Sequence, residues 1–210
     1  MTLLELREAA RRRLDDLVEG YGWVDADLNA WINEAIREAA LRGRLNRGAV
    51  TVSVVAGTAS YALSATVDYV HTAKMAASSF VLARTSRDEL NACAGNWSTA
   101  TGSPTAFFIE TRTLTLYPIP SASGTLNLVA DLIPSALTSD SQSPGLETQD
   151  HLPLLEWVIY RAGQQRDVDT LVPNSEQYEV NFSRYFGQRP SAMTRRMWLE
   201  SGATAFARPF

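Results

Sequence analysis

Leu3, Leu6, Ala10, Leu14 and Leu17 recur at spacings of three and four residues, which places an apolar stripe along one side of a helix and Arg11, Arg12 and Arg13 on the other. Thr2 and Glu5 stand at capping-box spacing, so the helix is predicted to start there and to run until Gly20 and Gly22 stop it. A second stripe, Leu28, Trp31, Ile32, Ala35, Ile36 and Ala39, predicts a helix from near Asp25 to Arg42 and Gly43, with Asp27 in its positive first turn. The two make a helical hairpin.

From Ala49 the period becomes two. "VTVSVV" and "SYALSA", parted by Gly57 and Thr58, read as strand, turn, strand. More strands are predicted at 69–76, 79–84, 105–110, 113–117 and 125–132, with a short helix at 87–92 capped by Ser86 and Glu89. After the polar stretch "SALTSDSQSPG", helical spacing returns in Leu152, Leu155, Trp157, Val158, Ile159 and Ala162. It returns again in Tyr178, Phe182, Tyr185 and Phe186, after a cap at Asn174 or Ser175. None of these helices alone buries enough apolar area to offset its ordering entropy. The expected fold class is therefore α+β: a helical bundle from residues 1–47 and 150–187, an inserted antiparallel β domain at 48–149, and an extended C-terminal docking tail at 188–210.

Within the β region, "TRTLTLYPIPSASGTLNL" (111–128) reads as a hairpin whose first strand ends in Pro118 and Pro120 and whose return begins at Gly124. Two missing backbone donors suit either an edge that must not pair with a neighbour or a shaped edge presented to a specific one.

Apolar content of 45% is ordinary for a globular core, and no apolar run approaches the ~18–20 residues that span a bilayer. The N-terminus lacks an apolar signal core, and one cysteine, Cys93, cannot close an internal disulfide. Assembly in a reducing cytoplasm is expected. Residues 1–187 hold 15 basic and 22 acidic side chains, whereas 188–210 hold four arginines, Arg189, Arg195, Arg196 and Arg208, against Glu200. That layout disfavours a duplex-binding domain and suits a tail that docks on an acidic protein surface. Arg195, Arg196, Met197, Trp198, Leu199, Phe206 and Phe210 are the candidate partner-binding residues, since they join steering charge to apolar anchors.

Catalytic signals are weak. His71 and His151 have no second His or Cys at metal spacing, and the glycine-bearing stretches lack both phosphate-cradling orders. No cofactor is expected. Cys93 reads as a semi-buried structural cysteine, the acid pairs Asp15–Asp16, Asp88–Glu89 and Asp167–Asp169 as solvated faces or caps, and Arg11 to Arg13 as mixed surface. Trp31 and Trp157 are expected in the core and Trp198 at an interface. Two other classes compete with an assembly role: a hydrolase or transferase of unrecognised type using Cys93, and an adhesin-like or carbohydrate-binding module. The first has no convergent constellation and the second no signal peptide.

The segments "TLLELREAARRRLDD", "GWVDADLNAWINEAIREA", "ATGSPTAFFIETRTLTLYPIPSASGTLNL" and "LPLLEWVIYRAGQQRDVD" occur in an order that resembles the head-to-tail adaptor (connector) proteins of tailed bacteriophages, including the tubular-tail-protein-A-like adaptors of short-tailed phages. The resemblance covers roughly residues 1–187. It implies a non-enzymatic virion protein at the capsid–tail interface, forming a ring of about twelve copies under the portal. Its partners would be the portal ring, adjacent adaptor subunits and a downstream tail or nozzle protein. Genomic DNA would pass through the bore without specific binding, and no membrane would be involved.

Overall fold

The computed structural model describes residues 1–17, 22–165 and 172–201, the last four by their backbone alone. The chain is mixed α+β and divides into two compact units. One combines Met1–Asn46 with Ile133–Arg189; the other combines Arg47–Leu132 with the segment from Pro190.

The first unit is helical. Helix α1 (Leu3–Arg13) starts at the capping box, where the Thr2 hydroxyl accepts from Glu5 N and the Glu5 carboxylate accepts from Thr2 N. It ends earlier than its stripe suggests. Asp15 takes a left-handed conformation (φ 56°), Leu17 is left exposed, and the chain turns so that Asp16 meets Arg11. Helix α2 (Asp25–Gly43), helix α4 (Leu154–Gln164) and helix α5 (Ser175–Phe186) join α1 around one apolar cluster. Leu6, Ile32, Trp31, Leu155, Trp157 and Phe182 lie within it. Both tryptophans expected in the core are there. The polar stretch after Ile133 is tied down as well: Leu3 N donates to Gln142 O, Leu4 N to Asp140 O, and Leu137 N to the side-chain Oδ1 of Asn33. Orphan donors at the start of α1 are thereby satisfied.

Helices α4 and α5 meet closely at Gly163, where an added Cβ would lie 2.2 Å from Ser175 Cβ and 3.2 Å from Val172 Cβ. Gly163→Ala gains helix propensity of about 1 kcal/mol, but forcing the helices apart costs about 1–3 kcal/mol. The variant is expected to unfold at lower urea concentration than the native chain despite the better helix former. A higher midpoint would show that the contact yields freely.

Among its described residues the second unit holds nine strands and two helices, α3 (Arg87–Cys93) and α6 (Ala192–Ser201). Strands β1 (Arg47–Val54), β9 (Gly124–Leu132) and β3 (Val67–Met75) form one antiparallel sheet with β9 central. Strands β2 (Ser60–Ala62), β7 (Thr113–Tyr117), β6 (Ala106–Glu110) and β4 (Ala83–Arg84) form another in that order, and β5 (Thr101–Gly102) pairs with β8 (Ile119–Pro120). The two larger sheets share one core. Leu126, Leu128 and Ala130 alternate inward from β9 and meet Phe107, Ile109, Leu114 and Leu116.

Three expectations are corrected. The "TRTLTLYPIPSASGTLNL" stretch is not a hairpin: β7 is flanked by β2 and β6, and β9 by β1 and β3, so neither has a free side for the other. Pro118 and Pro120, which have no N–H to extend a ladder, mark where the chain crosses between sheets. Around them Ile119 N donates to Ala100 O, Ser121 N to Gly102 O, and the Pro120 carbonyl accepts from Gly57 N. Gly124 opens β9 opposite Val54. These residues are paired within the chain at the crossing between sheets and form no hairpin with one another. Likewise "VTVSVV" and "SYALSA" do not pair with each other but cross between the same two sheets. Finally, the tail is not extended throughout. Over Ala192–Ser201 it is helical, with the Ser191 hydroxyl accepting from Thr194 N at 3.0 Å and the helix packed against β6 and β3. Phe206 and Phe210 lie outside the described residues, as do Asp167 and Asp169.

Candidate partner interface

Helix α6 carries the candidates Arg195, Arg196, Met197, Trp198 and Leu199. Arg195 is half-buried with its Nε shielded from solvent, whereas Met193 (73%) and Met197 (55%) are exposed. Arg196 lines a cleft of about 530 Å³ with Arg87, Asp88, Phe108 and Glu110. Within that cleft the Glu110 carboxylate accepts from Arg87 Nε at 2.9 Å, and this hydrogen bond raises the Arg87 pKa above its ordinary value. The Arg87 guanidinium also stands over Trp97 and Phe108, at 5.8 and 5.5 Å. Arg84, deeper in the unit, donates to Val70 O at 2.6 Å and stacks on Tyr69. Burial pulls its pKa down, since a charged guanidinium is poorly solvated there.

The end of the β unit where the chain crosses between sheets has the opposite character. Residues 48–67, 75–83 and 113–130 contain no charged side chain, and all three stretches reach this end. A cleft of about 350 Å³ here is lined by residues of 75–80, 102–104 and 121–125, among them Met75, Phe80 and Pro104 together with Ser79, Ser103 and Ser123. Phe80 (49%), Val81 (54%) and Val55 (55%) are exposed around it. The crossing is firmly held: the Tyr61 hydroxyl donates to Thr58 O at 2.6 Å and accepts from Val55 N, and Ala56 N donates to Ser123 Oγ. Exposed apolar surface on a well-ordered frame is a feature of protein-binding sites.

Charge is instead gathered inside the helical unit. Arg11 and Asp16, expected on solvated faces, are both buried. Arg11 bonds Asp16 and the Trp23 carbonyl, and lies 2.6 Å from Asp25. Arg7 reaches both Asp140 oxygens, at 2.9 and 3.1 Å, and Asn29 at 3.1 Å. Its hydrogen bonds hold the Asp140 carboxyl below the usual carboxylate range. A depressed carboxyl pKa contributes stability that is present above the unfolded value, about 3.9, and is lost as pH falls through the folded one. Acidification is thus expected to destabilise the native chain more steeply than Arg7→Gln, as followed by urea midpoints between about pH 5 and about pH 3. Parallel pH profiles would refute the coupling.

A third buried cluster joins three elements. Arg42 bonds Glu38 at 3.2 Å, Glu179 at 3.1 Å and Ser183 Oγ at 2.8 Å. Its guanidinium lies 5.0 and 5.1 Å from the rings of Trp157 and Phe182. Arg189, in the expected docking tail, ends on Glu38 at 3.1 Å.

The residues considered for chemistry do not converge. His71 Nε2 lies 2.8 Å from Asp131 Oδ1, off the line of a hydrogen bond, and His151 Nε2 is 3.1 Å from Leu146 O. Cys93 is exposed at the end of α3, not semi-buried. Among the described residues no three His, Cys, Asp or Glu side chains gather to hold a metal, and no helix is long and apolar enough to cross a membrane.

An α+β chain with exposed apolar surface on a firm β frame, and with Arg7, Arg11 and Arg42 paired to acids inside its helical unit, has the make-up of an assembly component. Residues 1–205 match the SU10 adaptor protein family, and the chain belongs to that family. The resemblance to phage head-to-tail adaptors read from the sequence is borne out, and the match runs past residue 187 into the C-terminal segment. No curated protein matches the chain. Family membership makes it a structural adaptor of a bacteriophage, a component of the virion, and an adaptor implies contacts with portal and tail proteins.

Proposed function

We propose that the chain forms a ring of about twelve copies beneath the portal of the filled capsid, joins the capsid to the tail, and lets DNA pass through its bore. Family membership over nearly the whole chain carries this reading. The helical residues 1–47 and 150–187, the β residues 48–149 and the tail 188–210 are read as its three functional parts, assembled in the host cytoplasm. Met197, Trp198, Leu199, Phe206 and Phe210 are the partner-binding anchors, with Arg195 and Arg196 supplying positive charge beside them.

Two features support a passive bore. Body acids outnumber bases, 22 to 15, and most of the buried arginines described above are already paired with acids. A surface that gripped phosphates would hold back a moving duplex. Duplex DNA titrated into the protein at physiological salt is expected to bind weakly. Submicromolar affinity that falls steeply with added salt would instead favour a nucleic-acid-binding protein. The isolated chain is expected to scatter light as a monomer or weak oligomer, because its apolar anchors gain full burial only in a complex. A stable large ring without a partner would contradict that.

A further inference from the structure

We infer that the uncharged cleft at the end of the β unit is the acceptor for the C-terminal segment 202–210 of a neighbouring copy, with Phe206 seated against Phe80, Met75 and Pro104. This rests on the ring reading and names a contact that would close the ring.

The cleft selects its occupant by chemistry. Its lining has no charged side chain, so an incoming charged group would lose water without gaining a counter-charge. A polyanion and a strongly charged protein surface are disfavoured alike. The volume of about 350 Å³ is at the small end for ligand sites and suits an aromatic side chain with its adjoining backbone. The walls offer apolar contact from Met75, Phe80 and Pro104, while serine hydroxyls can bond an extended backbone.

The chain itself supplies a segment of that description. Residues 202–210 read "GATAFARPF": Phe206 lies between Ala205 and Ala207, no acid is present, and Arg208 is the one charged side chain. Small neighbours let the ring enter a narrow cleft. Nine residues span at most about 30 Å, which sets how far from Ser201 the acceptor of a neighbouring copy can lie. Donor and acceptor are different surfaces of one chain, so the contact is heterologous, the kind that builds a ring when its rotation closes. Phe80, Val81 and Val55, all about half exposed, would be covered by it.

The test uses full-length chain carrying the photocrosslinker p-benzoylphenylalanine at position 206. Equal amounts of unlabelled and 15N-labelled protein are assembled on purified portal rings, irradiated and mapped by mass spectrometry. The expected result is crosslinks from 206 to residues 75–81 or 118–125, including pairs that mix the two isotopes. Crosslinks to the portal, to other parts of the adaptor, or within single-isotope pairs alone would overturn the inference, as would no crosslink. In full-length chain, Ala122→Arg and Ser79→Arg place a charge in the cleft and are each expected to reduce the mixed crosslink at least about tenfold. Both positions are exposed, and circular dichroism checks the fold. Undiminished crosslinking in the folded variants would also overturn it. Sedimentation of the same samples separates the two levels. Protein that never sediments with portal defeats the adaptor reading, whereas a ring that forms with Phe206 elsewhere defeats this contact alone.

Discussion

Arg42→Ala is expected to destabilise the helical unit by about 3–5 kcal/mol, a large fraction of the stability of an ordinary domain. The Glu38 side chain is 3% exposed and relies on Arg42 and Arg189 for its charge partners. Removing Arg42 leaves a buried acid with one partner, and that partner's side chain is itself more than half exposed. Ser183 and Glu179 lose the same donor, and the Trp157 and Phe182 rings lose the cation between them. Arg42→Lys should recover only part of the loss, because an ammonium cannot present the planar fork that reaches α2 and α5 together. Urea unfolding of the three proteins gives the comparison. A loss under about 1 kcal/mol for the alanine variant would show that Glu38 finds water or another partner.

Trp198→Ala is expected to weaken attachment to the portal by about 2 kcal/mol, or roughly 30-fold in affinity, with little change in the circular dichroism spectrum. Tryptophan is enriched among residues that dominate interfaces, since it removes a large apolar area from water while its N–H still finds a partner. Helix α6 already exposes Met193 and Met197, so apolar surface is offered just ahead of Trp198 in the chain. The competing arrangement has the tail segment folded onto its own subunit, and α6 does pack on β6 and β3. The two differ in what the substitution moves. An interface tryptophan changes portal affinity, measured by titration of immobilised portal, and leaves the urea midpoint in place. A tryptophan that caps its own β unit lowers the midpoint and leaves affinity intact.

Helices were legible where a local rule suffices. Thr2 with Glu5, and Ser86 with Glu89, carry their own caps, and the stripe from Leu28 to Ala39 needs no partner to be recognised. Most strand positions were legible too, although 79–82 is not strand and β5 and β8 were not foreseen, but strand partners were not. Alternation in Thr113–Tyr117 and Gly124–Leu132 marks them as strands and says nothing about which neighbour is bonded, so two strands close in sequence were joined across a crossing. The buried arginines escaped because Arg7, Arg11 and Arg42 meet acids up to 137 residues away, a pairing that helical spacing does not encode. Helix α6 was missed for a related reason: Met193 and Met197 are exposed, so its apolar residues do not mark its packed face. The uncharged cleft did leave a trace, in the charge-free runs 75–83 and 113–130. Only the fold shows that they end at one place.

Titration of purified portal rings with the full-length chain, read by mass and by electron-microscopic averaging, tests the adaptor ring most directly. The expected result is a 23.1 kDa protein that is monomeric or weakly associated alone and adds to each portal as a closed ring, saturating at about one copy per portal subunit. A chain that stays at its own mass beside the portal, or binds it as scattered single copies that never close, would contradict the proposal.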